Sequence, residues 1–218
     1  MTETSPVNGV KVFERLVPRT VGAPAPELEM KICDENGVPL KNQHEMGIVF
    51  IKGPNVMKGY YKDPERTKAV LSEDGWLNTG DLGRFTLTGE LQLTGRAKDT
   101  IVLIGGENIE PAPIEDRLLE HPLIHQVMIV GQDKKVLGAL IVPHEENLIE
   151  FAKHHSIKFD SFSELCKNKH IIDEFKKICK NKINEKHGFK SYERITHIAL
   201  ISEPFKVGEE LTHSLKMK

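Results

Sequence analysis

Two stretches of this 218-residue chain hold residue types that can act together on a polar ligand. Gly75-Trp76-Leu77-Asn78-Thr79-Gly80-Asp81-Leu82-Gly83 reads as a loop presenting one carboxylate. A lone carboxylate can accept hydrogen bonds from both hydroxyls of a ribose, as acidic side chains do in dinucleotide folds. Asp81 is therefore a candidate sugar anchor, and the plainer alternative is a polar turn. Arg96 stands in a Gly-Arg turn, where its fork of donors can meet the same ribose or a phosphate, or pair with a nearby carboxylate. The run Gly95 to Pro111 then joins a basic turn at Lys98, a short apolar strand, the pair Gly105-Gly106 and a helix start. That order looks like a hinge. Without a Cβ, Gly105 and Gly106 let the backbone approach a slender ligand closely, and an ordinary Gly-Gly turn is the alternative.

The elements that must position these residues change character near residue 98. Before it, β-like runs at Leu28 to Cys33, Gly47 to Lys52 and Glu90 to Leu93 are separated by turns such as Asp34-Glu35-Asn36-Gly37. Short strands at this spacing predict a small barrel or a folded sheet. Asp63-Pro64 caps and opens a brief surface helix to Leu71. After it, helices alternate with apolar strands, the texture of an α/β unit. Pro111 to Glu120 is a helix with an apolar stripe at Ile114 and Leu118, stopped at His121-Pro122. Val127 to Val130 and Gly138 to Val142 are continuous apolar runs that read as two central strands. Glu145 to His154 is a helix, and Ile171, Ile172, Phe175, Ile178, Cys179 and Ile183 recur at helical spacing to define a longer one. Ile195 to Ile201 is the last strand. The fold class that follows is α+β, with a barrel-like β-rich part over residues 1–97 and a small α/β part over 98–218.

Composition narrows the function classes. Lys+Arg number 30 against 32 for Asp+Glu, and neither half carries the basic excess of a nucleic-acid binder. Eight lysines between Lys167 and Lys190 face only Asp173, Glu174 and Glu185. A solvated surface explains them, and attraction of a phosphate-bearing cofactor or an anionic membrane is the sharper alternative. Cys33, Cys166 and Cys179 lack disulfide or metal-ligand spacing, which points to a reducing cytoplasm. No apolar run has the length that crosses a bilayer, so any membrane association is peripheral. The start, Met1-Thr2-Glu3-Thr4-Ser5-Pro6, lacks the apolar periodicity of a first element and reads as a cut in a longer protein.

Together the segments resemble the closing motifs of the adenylate-forming enzymes, most closely the long-chain fatty acyl-CoA synthetases. Gly75 to Gly83 is similar to the family's Trp-x-x-Thr-Gly-Asp-x-Gly segment, with Gly59-Tyr60-Tyr61 and Asp63-Pro64 upstream in the family's order. Leu211-Thr212-His213-Ser214-Leu215-Lys216-Met217-Lys218 resembles the family's Leu-Thr-x-(Ser/Thr)-x-Lys-x-Lys ending, with His213 where relatives often have proline. Thr2-Glu3 matches the last two residues of the family's Tyr-Gly-x-Thr-Glu motif. The resemblance implies that Asp81 binds the ribose of ATP and of the acyl adenylate and that Arg96 contacts the nucleotide. It places Lys98 at the pivot between a large domain and a mobile lid, and Gly105, Gly106 and Glu107 beside the pantetheine tunnel. It makes Lys216 the adenylation lysine, with Lys218 as competitor, and gives Thr2 to a phosphate and Glu3 to Mg2+.

The expected protein joins a fatty acid to coenzyme A, using ATP and Mg2+ and releasing pyrophosphate and AMP. The upstream phosphate loop and acyl tunnel of the family are missing from this sequence, so the chain alone is expected to be inactive. Three other readings stand beside this one: a ligase for an aryl or medium-chain acid, a short non-catalytic nucleotide- or partner-binding protein, and a carrier-protein-loading enzyme.

Overall fold

The apolar runs of the first half assemble as antiparallel strands. In the computed structural model, which describes residues 1–5, 7–11, 17–18 and 20–206, the chain divides into two units, Met1–Asp99 and Thr100–Lys218. In the first, Gly9–Val10 (β1) pairs with Ala23–Pro24 (β2). A four-stranded antiparallel sheet follows in sequence order: Glu29–Cys33 (β3), Gly47–Lys52 (β4), Leu77–Phe85 (β5) and Leu91–Arg96 (β6). Alternation puts Ile32, Val49, Ile51 and Leu91 into one buried cluster. Phe50 and Lys31, a cross-strand pair, belong to the opposite face, where the Lys31 ammonium lies 4.0 Å from the centre of the Trp76 ring.

Two expectations are corrected here. The sheet is open, because β3 and β6 are its two edges and do not pair, so no closed barrel forms among the described residues. Four strands are too few to curl round and fill an interior with side chains. The segment read as a loop around Asp81 is the middle of β5, the longest strand of the sheet. The short helix Pro64–Val70 (α1) is as expected: the Asp63 carboxylate accepts the Arg66 N–H at 2.9 Å, and none of its residues is buried.

The second unit opens with a two-stranded ribbon, Ile101–Val102 (β7) and Asn108–Ile109 (β8), followed by helix Pro111–Leu119 (α2). Strands Ile124–Val130 (β9) and Leu137–Pro143 (β10) form an antiparallel hairpin. Helices Glu145–His154 (α3), Phe162–Lys167 (α4) and Lys169–Lys182 (α5) carry the chain back to Ile195–Leu200 (β11), which lies parallel to β10. A parallel neighbour needs such a long crossover, and the helices supply it. Only β10 is central, so the expectation of two central strands is corrected: β9 is an edge strand, with Val127 and Ile129 buried and Val130 37% exposed. Its apolar run reads as fully buried because Met128 and Val130 are apolar too.

Ile114 and Leu118 of α2, Leu148 of α3 and Ile171 and Phe175 of α5 are all buried in one core with Leu137 and Ile141 of β10. Each such side chain contributes about 1.5–3 kcal/mol of transfer free energy. Among the described residues no helix is long and apolar enough to cross a membrane. The three cysteines are free and buried, and burial pushes the Cys166 and Cys179 thiols up to about 11.

Candidate functional site

Asp81 is held out of the β4–β5 ladder by a bulge. Ile48 pairs with Leu82 and Phe50 with Asn78, so Val49 alone faces Thr79, Gly80 and Asp81. Two extra residues must leave the plane of the sheet, which is how bulges re-aim a side chain. Gly80 takes φ +69°, a left-handed conformation that favours glycine. The Asn78 side chain accepts the Gly80 N–H at 2.9 Å. The Thr79 hydroxyl, buried, donates to the Val49 carbonyl at 2.8 Å and accepts the Asp81 N–H at 3.1 Å. Thr79 thus locks the bulge to β4 while Asp81 turns outward.

Its partner comes from β6. Arg96 is the residue opposite Asp81 in the β5–β6 register, and its Nε lies 3.3 Å from the Asp81 carboxylate. A second register shift, between Leu82 and Gly83, makes that pairing possible. The two side chains keep 23% (Asp81) and 38% (Arg96) of their surface exposed, so both can reach a ligand. Asp81 and Thr79 line a hollow of about 380 Å³ with Met1, Val49, Ile51 and Leu91. An acceptor for hydroxyls, a cation beside it and an apolar wall suit a ligand that is part sugar, part anion.

Thr2 and Glu3 form a single 3-10 turn, Thr2–Thr4, anchored by buried Thr4. The Met57 N–H donates to the Glu3 carbonyl at 2.8 Å, and the Tyr60 hydroxyl donates to the Glu3 carboxylate at 3.2 Å. The Arg66 guanidinium stacks over Tyr60, 4.4 Å from its ring centre. Burial, and then the Glu3 charge, raises the Tyr60 pKa. Tyr60 as the partner of Glu3 is missed by sequence reasoning, although its Gly-Tyr-Tyr signal lies in plain view. Met1 lines the same hollow as Asp81, which puts this turn beside the bulge.

Lys98 lies exposed in a 3-10 turn, Ala97–Asp99, at the end of the first unit. In the second unit, Gly105, Gly106 and Glu107 make the exposed tip between β7 and β8. Gly106 takes φ +86° and donates to the Leu103 carbonyl at 2.9 Å. A Cβ on Gly105 would come within 2.3 Å of the Glu107 carboxylate, so that side chain folds over the glycine. The turn between β9 and β10 braces this tip: Ile104 N–H donates to the Lys134 carbonyl, Asp133 N–H to the Val102 carbonyl and Val102 N–H to the Gln132 side chain, each at 3.0 Å. The sequence gives no sign of that brace, since its contacts cross some 30 residues. Lys216, with Lys218 and His213, lies outside the described residues.

The sequence pattern of the AMP-binding enzyme family matches residues 1–61, and that of the AMP-binding enzyme C-terminal domain matches residues 98–197. The chain belongs to the AMP-binding, adenylate-forming enzyme family.

Among its relatives, Long-chain-fatty-acid–[acyl-carrier-protein] ligase AEE15, chloroplastic, from Arabidopsis thaliana is 42% identical over 67% of this chain and 22% of its own length. Long-chain-fatty-acid–CoA ligase 1 from Cavia porcellus is 38% identical over 91% of this chain and 28% of its own. The O-succinylbenzoate Coenzyme A synthetase of Bacillus subtilis, solved in complex with AMP, superposes with a TM-score of 0.69 at 28% identity. That match takes in 100% of this chain and 38% of the synthetase. The same synthetase has been solved with ATP and a magnesium ion. This chain therefore spans about a fifth to two fifths of the length of these proteins. A chloroplastic relative among them means that the cytoplasm is not singled out as the compartment.

Proposed function

We propose that this chain is the closing part of an ATP-dependent long-chain fatty acid–CoA ligase. Residues 1–97 complete the large domain and residues 98–218 form a lid that swivels at Lys98. The observation that carries the proposal is the Asp81–Arg96 pair on a bulged strand beside a hollow, in a chain with fatty acid ligases among its relatives. The full ligase runs two half-reactions. A fatty acid carboxylate oxygen attacks the α-phosphorus of ATP, and the bond to pyrophosphate breaks. The thiol sulfur of coenzyme A then attacks the acyl carbonyl carbon and releases AMP.

In the first step Asp81 accepts hydrogen bonds from the ribose hydroxyls and Arg96 contacts the nucleotide, which fixes the α-phosphorus in place. Thr2 meets a phosphate. The Lys216 ammonium stabilises the charge that builds on the nonbridging oxygens in a water-poor site. In the second step the lid turns, and the Gly105-Gly106-Glu107 tip lines the path of the pantetheine arm, where Gly106 leaves open space and the Glu107 side chain covers Gly105. Mg2+ fits this donor set only as a shared ion. Among the described residues no group of three or more carboxylate, His or Cys ligands exists, but Glu3 offers one carboxylate braced by Tyr60. Mg2+ commonly takes one or two carboxylates, with substrate phosphates and water completing the shell. When bound it neutralises phosphate charge. The three buried thiols fit a reducing compartment such as the cytoplasm.

The two half-reactions separate the roles. In a full-length ligase carrying these residues, Lys216→Ala is expected to lower fatty-acid-dependent ATP–pyrophosphate exchange by about a hundredfold or more, the scale of a lost transition-state donor. Thioester formation from supplied acyl adenylate should persist. Equal loss of both half-reactions would remove Lys216 from this role. The 218-residue chain alone should release negligible AMP from fatty acid, ATP and coenzyme A, and robust turnover would refute the proposal. The Arabidopsis relative favours a second reading, in which the acyl group passes to a carrier-protein thiol. Offering both thiols, with acids of different chain length, decides between them.

A further inference from the structure

The lysines that the nucleotide chemistry does not use gather on α5. Helical periodicity turns Ile171, Phe175 and Ile178 into the core and leaves Lys169, Lys176, Lys177 and Lys180 exposed on the other side. Lys169 opens the helix and Lys180 stands in its last turn, so these charges spread along about 16 Å. Only two acids share the face. Asp173 pairs with Lys176 at 3.5 Å and Glu174 with Lys177 at 3.2 Å, in contacts that leave the lysine side chains 53% and 70% exposed. Lys169 and Lys180 have no acidic partner among the described residues.

We propose that this face of α5 docks the protein on an anionic phospholipid surface. The chemistry of the face selects that partner. Lysine is a hydrated point charge rather than a bidentate fork, so it suits diffuse negative charge better than a single phosphate held in fixed geometry. The outward positions between the lysines are His170, Asp173, Glu174 and Asn181, with no Phe, Tyr or Trp on which nucleic acid bases would stack. Half-buried Ile172, between Lys169 and Lys176, is the one apolar side chain near them, too little to anchor a protein groove. A row of spaced ammonium groups on a convex helix meets a flat sheet of headgroups, where each lysine near the surface adds to attraction within a Debye length. This does not rest on the ligase reading, and the test below uses no nucleotide.

The test is co-sedimentation of the 218-residue chain with phosphatidylcholine vesicles that contain or lack phosphatidylserine. Binding is expected only with phosphatidylserine at low salt, and it should vanish near 1 M salt, where the Debye length falls to about 3 Å. Lys169→Gln with Lys180→Gln should weaken partitioning by roughly 25-fold, about fivefold for each charge. Asp173→Asn with Glu174→Gln should strengthen it for phosphatidylserine vesicles alone and in a salt-sensitive way, whereas misfolding would raise pelleting with either vesicle type or with none. Equal binding to both vesicle types, no change in either double variant, or capture of an oligonucleotide without capture of vesicles would overturn the proposal.

Discussion

The two units are similar in length but are held together by different means. Among the described residues the second unit buries 20 residues in one apolar cluster, whereas the largest cluster of the first has four. The buried polar side chains run the other way: Thr4, Thr20, Thr79 and Glu90 all belong to the first unit. Each has a hydrogen bond, with Thr20 reaching Glu90 and Thr79 reaching Val49. The unit that carries Asp81 and Arg96 thus relies on directed bonds, which fix positions, and the other relies on packing, which supplies free energy. A ligand site gains from the first arrangement, because a carboxylate is useful only where its direction is set.

This contrast can be broken most directly in the core of the second unit. Phe175 is fully buried at the centre of α5, and Phe175→Ala should cost about 3–5 kcal/mol through lost burial and a residual cavity. The chain has a single tryptophan, Trp76, in the first unit, so its fluorescence reports one unit while the helical circular dichroism signal reports chiefly the other. In urea, the variant should lower the helical midpoint strongly and leave the Trp76 midpoint in place. A common shift of both signals would show one cooperative body and end the comparison. The converse change is Thr79→Val, which keeps the shape but removes the donor to Val49 and the acceptor for the Asp81 N–H. It should cost about 1–3 kcal/mol, read by Trp76 and not by the helices.

The same contrast explains what the sequence discloses. Helix α3 is legible from Glu145 to His154 because its apolar residues keep one period and Pro143 closes the preceding strand. Helix α5 follows from the spacing of Ile171, Phe175 and Ile178, since packing leaves a periodic trace. Strand β5 is hidden: Asn78, Gly80 and Asp81 are turn formers, and two extra residues break the alternation that marks a strand. The type of residue at positions 81 and 96 can be noticed, but their apposition depends on two register shifts that no local pattern reveals. Tyr60 meeting Glu3, and Gln132 meeting Val102, are likewise products of tertiary approach. Apolar cores announce themselves by period, whereas directed polar contacts between distant residues do not.

The smallest predicted effect is the most discriminating. Asp81 and Thr79 are neighbours on one bulge and line one hollow, yet the Thr79 hydroxyl is bonded to the Val49 carbonyl while the Asp81 side chain stays partly exposed. The Asp81–Arg96 pair is partly exposed, so water already solvates both charges and the net attraction is weak. Asp81→Ala should therefore lower the stability that Trp76 reports by less than about 1 kcal/mol, below the cost of Thr79→Val. A residue that stabilises little, while its backbone is fixed by a buried threonine, is placed for a ligand rather than for the fold. If Asp81→Ala destabilises the first unit as much as Thr79→Val, the ion pair is part of the scaffold and the bulge serves stability alone. If it does not, the bulge exists to aim a carboxylate, and the hydrogen bonds around Thr79 are what keep it aimed.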